Sequence, residues 1–164
     1  MADKAQGMVS FTPIVTLSDA DADDTNVIHH DIKGSLGGEM VYEKVDANDK
    51  WFYKTDKDVT GTSADLISGD FTETGTVATA DDVRFLFVKN TGTTDGSTAT
   101  TAKVYLCLDG GDAAAVTDVI QIDAGEAVQL KFKAASGVDV ANLHAATSTG
   151  TVRCTIAAII DDGG

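Results

Sequence analysis

Three groups of residues in this chain have types and spacings from which chemistry could be built. Asp19, Asp21 and Asp23 alternate as the carboxylates of a calcium loop do. An EF-hand also requires Gly at the sixth place and a bidentate Glu at the twelfth, and here those places hold Asp24 and His30. The run therefore reads as a solvated acidic loop. His29, His30 and Asp31 form the second group, with His144 far along the chain. Neighbouring residues on an extended strand point to opposite faces, so His29 and His30 do not converge on one ion, and a zinc site needs three or four convergent ligands. We expect no metal and no cofactor. The third group is the general supply of Ser, Asp and His, which formally permits a nucleophilic triad. No Gly-x-Ser-x-Gly elbow or Gly-x-x-x-x-Gly-Lys-Ser/Thr phosphate loop presents it. Paired carboxylates on neighbouring strands, the glycosidase arrangement, leave no mark in sequence and stay open. The expectation is a protein that is not an enzyme.

Trp51-Phe52-Tyr53 is the one aromatic cluster. In a strand Trp51 and Tyr53 share a face and offer a flat platform of the kind that covers a sugar ring. The competing reading is a core tryptophan packed beside a tyrosine. Cys107 and Cys154 both lie in strand-like runs without a second ligand at metal spacing, and read as small buried thiols.

The bulk numbers frame these residues. A chain of 164 residues suits one domain, and about 150 residues bury roughly 70% of their unfolded surface without staples. A net charge of −14 repels phosphate backbones and anionic headgroups, so neither nucleic acid nor membrane is an expected partner. The first residues, Met1 to Gly7, lack the basic and apolar regions of a secretory signal, and no apolar run reaches the ~20 residues of a membrane span. Synthesis in the host cytoplasm is the expectation.

The elements that must hold all of this are strands. Residues 1–26 are small, polar and acidic, with one apolar strip carrying Phe11, Ile14, Val15 and Leu17 around Pro13. Proline cannot donate to a ladder, so this segment reads as an extended N-terminal arm whose strip is a candidate partner-binding surface. Residues 27–164 read as a β-domain. Strand signals stand at 27–32, 40–45 and 51–54, and the four residues 46–49 suit a hairpin between the last two. Residues 58–82 read as a long loop with one short strand. Beyond them the alternation sharpens at 83–89, 103–108, 119–122, 127–132, 143–146 and 151–160, separated by Gly, Asn and Asp turns. Single helical turns fit 113–116 and 138–143. The expected fold is all-β, an antiparallel β-sandwich (jelly-roll or immunoglobulin-like). Its inward faces would carry Val83/Phe85/Phe87, Val104/Leu106/Leu108, Ile120/Ile122, Val128/Leu130/Phe132 and Val152/Cys154/Ile156.

Within residues 83–160 four phrases recur in a familiar order. They are Lys89-Asn-Thr-Gly-Thr93, Leu108-Asp-Gly-Gly111, Ile120-Gln-Ile-Asp-Ala-Gly-Glu-Ala-Val128 and Leu143-His-Ala-Ala-Thr-Ser-Thr-Gly-Thr-Val152. This pattern resembles small all-β virion proteins of tailed bacteriophages, capsid decoration (cement) proteins among them. The resemblance implies a non-enzymatic structural protein on the outer head surface of the virion. Its partners would be the major capsid protein and copies of itself, as a trimer. The alternative is a carbohydrate- or receptor-binding module of a tail fibre or spike, with Trp51 and Tyr53 as its platform.

Overall fold

The computed structural model describes residues 4–9, 38–43, 48–72, 74–133 and 137–163. Eleven strands follow one another: β1 (Lys4–Val9), β2 (Gly38–Glu43), β3 (Asp49–Val59), β4 (Ala64–Asp65), β5 (Asp82–Asn90), β6 (Val104–Cys107), β7 (Ile120–Ile122), β8 (Ala127–Lys131), β9 (Val138–Asp139), β10 (His144–Thr147) and β11 (Val152–Asp161). Single 3-10 turns at Ala113–Ala115 and Val140–Asn142 match the two helical turns expected from sequence. β1 and β2 pair with each other in a two-stranded sheet.

The other nine strands build two antiparallel sheets packed on one core. One sheet runs β3-β11-β5-β8 with β9 also paired to β5, and the other runs β4-β10-β6-β7. β11 is central because its alternation is the most apolar in the chain. Val152, Cys154, Ile156, Ala158 and Ile160 all enter the core, where they meet Val104, Leu106, Ile122 and Ala145 of the facing sheet. Leu108, Ile120, Val128, Leu130 and Phe132 pack against the same core from its margins. The all-β sandwich read from sequence is the fold observed.

Asn90 joins the two sheets. Its side chain is fully buried at the end of β5, donates to Ala102 O (2.9 Å) and Ile122 O (3.1 Å), and accepts from Gly92 N–H (2.9 Å). Gly92 takes φ +70° there, a conformation glycine adopts without penalty, and sits against Ala124 and the Gly125 nitrogen. The Asn-Thr-Gly and Asp-Ala-Gly-Glu phrases are thus two halves of one corner.

Three sequence expectations are corrected. Phe85 and Phe87 do not enter the core; Leu86 and Val88 do. A bulge opposes Ile159 to Phe85 and Ile160 to Val83, so Arg84 is the extra residue and the phase of β5 reverses there. The hairpin across 46–49 is not formed, because β2 pairs with β1 and β3 with β11. Finally, β3 runs on through eleven residues into the stretch read as loop. Among the described residues its only ladder partner is β11, with a second bulge where Cys154 opposes Lys57 and Ile156 opposes Lys54. That shift puts Lys54 and Lys57 on the inner side of the sheet, in register with core residues. A strand also stands at Lys4–Val9, where Lys-Ala-Gln-Gly gives no β signal. The expectations for Phe11, Ile14, Val15 and Leu17, and for a strand at 27–32, lie outside the described residues.

Candidate functional site

β3 positions the aromatic pair. Phe52 turns into the core, 2% exposed, and its neighbours Trp51 and Tyr53 turn outward together. Tyr53 is 60% exposed and Trp51 is half-buried. They stand beside Ile159 and Ala157 of β11, their register partners. The shared face read from sequence is present, and Tyr53 is not a core residue. On the same outward face Phe85 and Ile159 are buried within the single chain.

The outward face of the other sheet gathers the groups with catalytic chemistry. Asp65, His144 and Cys107 are consecutive register partners across β4, β10 and β6. Gly111 O can only accept, so His144 Nδ1 donates to it at 2.8 Å, and Nε2 stands 3.4 Å from Asp65 Oδ1. The Cys107 thiol, buried with Ala113 and Ala146, donates to Asp109 Oδ1 at 2.8 Å. That bond, reinforced by Gly111 N–H, holds the Asp109 carboxyl below the usual range. Cys107 is therefore a hydrogen-bond donor within the fold and is not presented to a cleft. Cys154 lies in the core, and burial pushes its thiol up to about 12.

A shallow cleft of about 180 Å³ opens where β3 meets β4, lined by Lys57, Asp58, Thr60 and Asp65 among others. Lys57 crosses it to donate to Asp65 O at 2.7 Å, and burial lowers its ammonium below the ordinary lysine range. Asp58 is engaged by Arg153 Nε at 2.9 Å. The cleft is polar, with both charge signs already paired across it. No group of three or more His, Cys, Asp or Glu side chains among the described residues could hold a metal ion.

One arrangement has no sequence motif. Asp49, Asp161, Asp82 and Asp139 are successive register partners across β3, β11, β5 and β9. Each sits at the end of its strand or beside a turn, so in sequence each reads as a turn residue. The bulge at Arg84 turns its guanidinium into this row, 2.5 Å from Asp161 and 3.4 Å from Asp82. Burial, and then a hydrogen bond with the Asp139 carboxyl, raise Asp82 above the usual carboxylate range.

Comparison with known proteins gives no match to the chain from any family model, curated protein or solved structure. No helix among the described residues is long and apolar enough to cross a membrane.

Proposed function

We propose that this chain is a non-enzymatic structural protein of a tailed-phage virion, a decoration protein bound to the outer head surface. The observation that carries the reading is the corner at Asn90. The phrases on which the resemblance rests are the ones that lock the two sheets together, so the likeness is one of scaffold. A rigid double sheet suits a cementing role, and the charge of −14 suits a protein that must not adhere to the genome. The described side chains with catalytic chemistry, His144, Cys107 and Lys57, are engaged by partners within the fold, which agrees with a structural role. The major capsid protein is the proposed partner. The trimer is proposed on the resemblance alone, since Phe85 and Ile159 need no second subunit to cover them. Gold-labelled antibody on purified particles tests the reading: label on heads supports it, and label confined to tails overturns it. Light scattering of free and particle-released protein reports the trimer.

A second reading is favoured by Tyr53, which is 60% exposed beside Trp51. The pair is open to a sugar ring, as a receptor-binding module of a tail fibre requires. Glycan-array binding that Tyr53→Ala abolishes would support it.

A further inference from the structure

The loop after β6 carries an unusual residue. Val116 closes the 3-10 turn at φ 56°, ψ 28°, in the left-handed region, and Asp118 has φ 56° as well. Asp tolerates this conformation, whereas a β-branched residue there is an outlier. Val116 is also 52% exposed, one of the two large apolar side chains so placed among the described residues. Burial therefore recovers little of the backbone cost.

The loop is firmly anchored below this tip. Ala113 is fully buried against Cys107 and Ala146, and Val119 packs on the same cluster. Ala113 N–H donates to Ser63 Oγ at 3.0 Å, Ala114 N–H to the Asp112 carboxylate at 2.9 Å, and Gly110 N–H to Asn142 O at 3.0 Å. His144 holds Gly111 from beneath. Between these anchors all five residues from Ala114 to Asp118 are exposed. The result is a fixed apolar knuckle flanked by two carboxylates, Asp112 and Asp118. It stands on the outward face of the β4-β10-β6-β7 sheet, opposite the sandwich face that bears Tyr53.

Strain held at an exposed residue by a rigid surround is characteristic of a ligand-contacting position. We propose that Val116 is the central docking residue of this protein, inserting into an apolar pocket of a partner protein whose rim is basic and pairs with Asp112 and Asp118. The charge of the flanks selects that rim, and preorganisation of the knuckle removes the ordering cost from the binding step. The inference rests on the decoration reading for the identity of the partner, the capsid shell.

The probe is therefore the empty shell of the phage encoding this chain, stripped of the protein and titrated with labelled variants. Val116→Asn accepts the left-handed backbone and removes the apolar contact. It should bind at least tenfold more weakly, as expected for a central contact, while melting no lower than the parent. Val116→Ile should bind as the parent does. Asp118→Asn, which keeps the backbone preference, should weaken binding and flatten its salt dependence. If the parent binds shells and Val116→Asn binds equally well, the knuckle is not the docking site although the decoration reading stands. A melting temperature lowered by more than about 4 °C in Val116→Asn, over 1 kcal/mol for a chain of this size, would mean that Val116 serves the fold and would also overturn the inference. A parent chain that binds no shell refutes the decoration reading and, with it, this partner.

Discussion

Replacing Asn90 with alanine removes three buried hydrogen bonds at once: two donated by the side-chain amide to Ala102 O and Ile122 O, and one accepted from Gly92 N–H. A buried hydrogen bond contributes about 1 kcal/mol net, and a polar group left without its partner costs about 1–3 kcal/mol. Asn90 is 0% exposed, so water cannot replace the amide without opening the corner. The expected loss is about 3–4 kcal/mol, a large part of the ~5–15 kcal/mol that stabilises a domain. With a urea m-value of about 2 kcal/mol/M the unfolding midpoint falls by roughly 1.5–2 M at unchanged m. Trp51, the single tryptophan, reports the transition by fluorescence. Asn90→Asp is the sharper variant because its shape is the same. At neutral pH it sets a carboxylate oxygen against two carbonyl oxygens, so it is less stable than the alanine variant, and the difference narrows in acid as the protonated group donates to one of them. A midpoint shift below about 0.5 M for Asn90→Ala, under ~1 kcal/mol on the same m-value, would refute the claim that this residue joins the sheets.

The remaining expectations concern charge and thiols. Hydrogen bonds from the Thr98 and Ser97 backbones and hydroxyls hold Asp95 well below the ordinary carboxylate range. The stability it contributes is therefore present above about pH 4 and lost as pH falls through the lowered value; the gap between the parent and Asp95→Ala should be constant at neutral pH and close in acid. Asp82 has the opposite sign. Its raised carboxyl contributes below its ordinary pKa and loses that contribution as pH rises, so Asp139→Asn, which supplies a permanent donor, should stabilise the protein by about 0.5 kcal/mol at pH 7 and by nothing below about pH 4. At pH 8 a thiol reagent should label neither Cys107 nor Cys154 in the folded protein, both being buried, and both after unfolding in guanidinium. Rapid labelling of the native state would contradict their placement.

Most of the sandwich was legible because its strands alternate cleanly. Val104/Leu106, Ile120/Ile122 and Val152/Cys154/Ile156 face the core as their phase requires. Where alternation failed there was a bulge. The run Val83–Val88 is apolar at both phases, and nothing local says that Arg84 will be the extra residue that turns Phe85 and Phe87 outward. Pairing partners were less accessible than strands. β2 and β3 lie close in sequence with a turn between them, yet they belong to different sheets, because partner choice is decided by long-range burial. The shared outward face of Trp51 and Tyr53 followed from period two alone. The aspartate row and the row of Asp65, His144 and Cys107 did not, since each depends on register between strands distant in sequence. The left-handed Val116 lay beyond reach as well: residue type argues against that conformation, and only the anchoring around it imposes it.

The irregular course of β3 bears on how closely copies of this protein can be crowded. Eleven residues at the margin of a sheet are a ready template for a second chain to add to, strand by strand. Here the extra residue between Lys54 and Lys57 bends the template, and an added strand would have to bring its own backbone past two inward-turned ammonium groups. One of them already ties the margin shut by reaching to the Asp65 carbonyl. The chain can therefore be packed at high local density, as on a particle surface, without its longest exposed strand seeding cross-β growth. Deleting one residue of that bend would restore a straight ladder and convert a soluble subunit into one that aggregates with concentration.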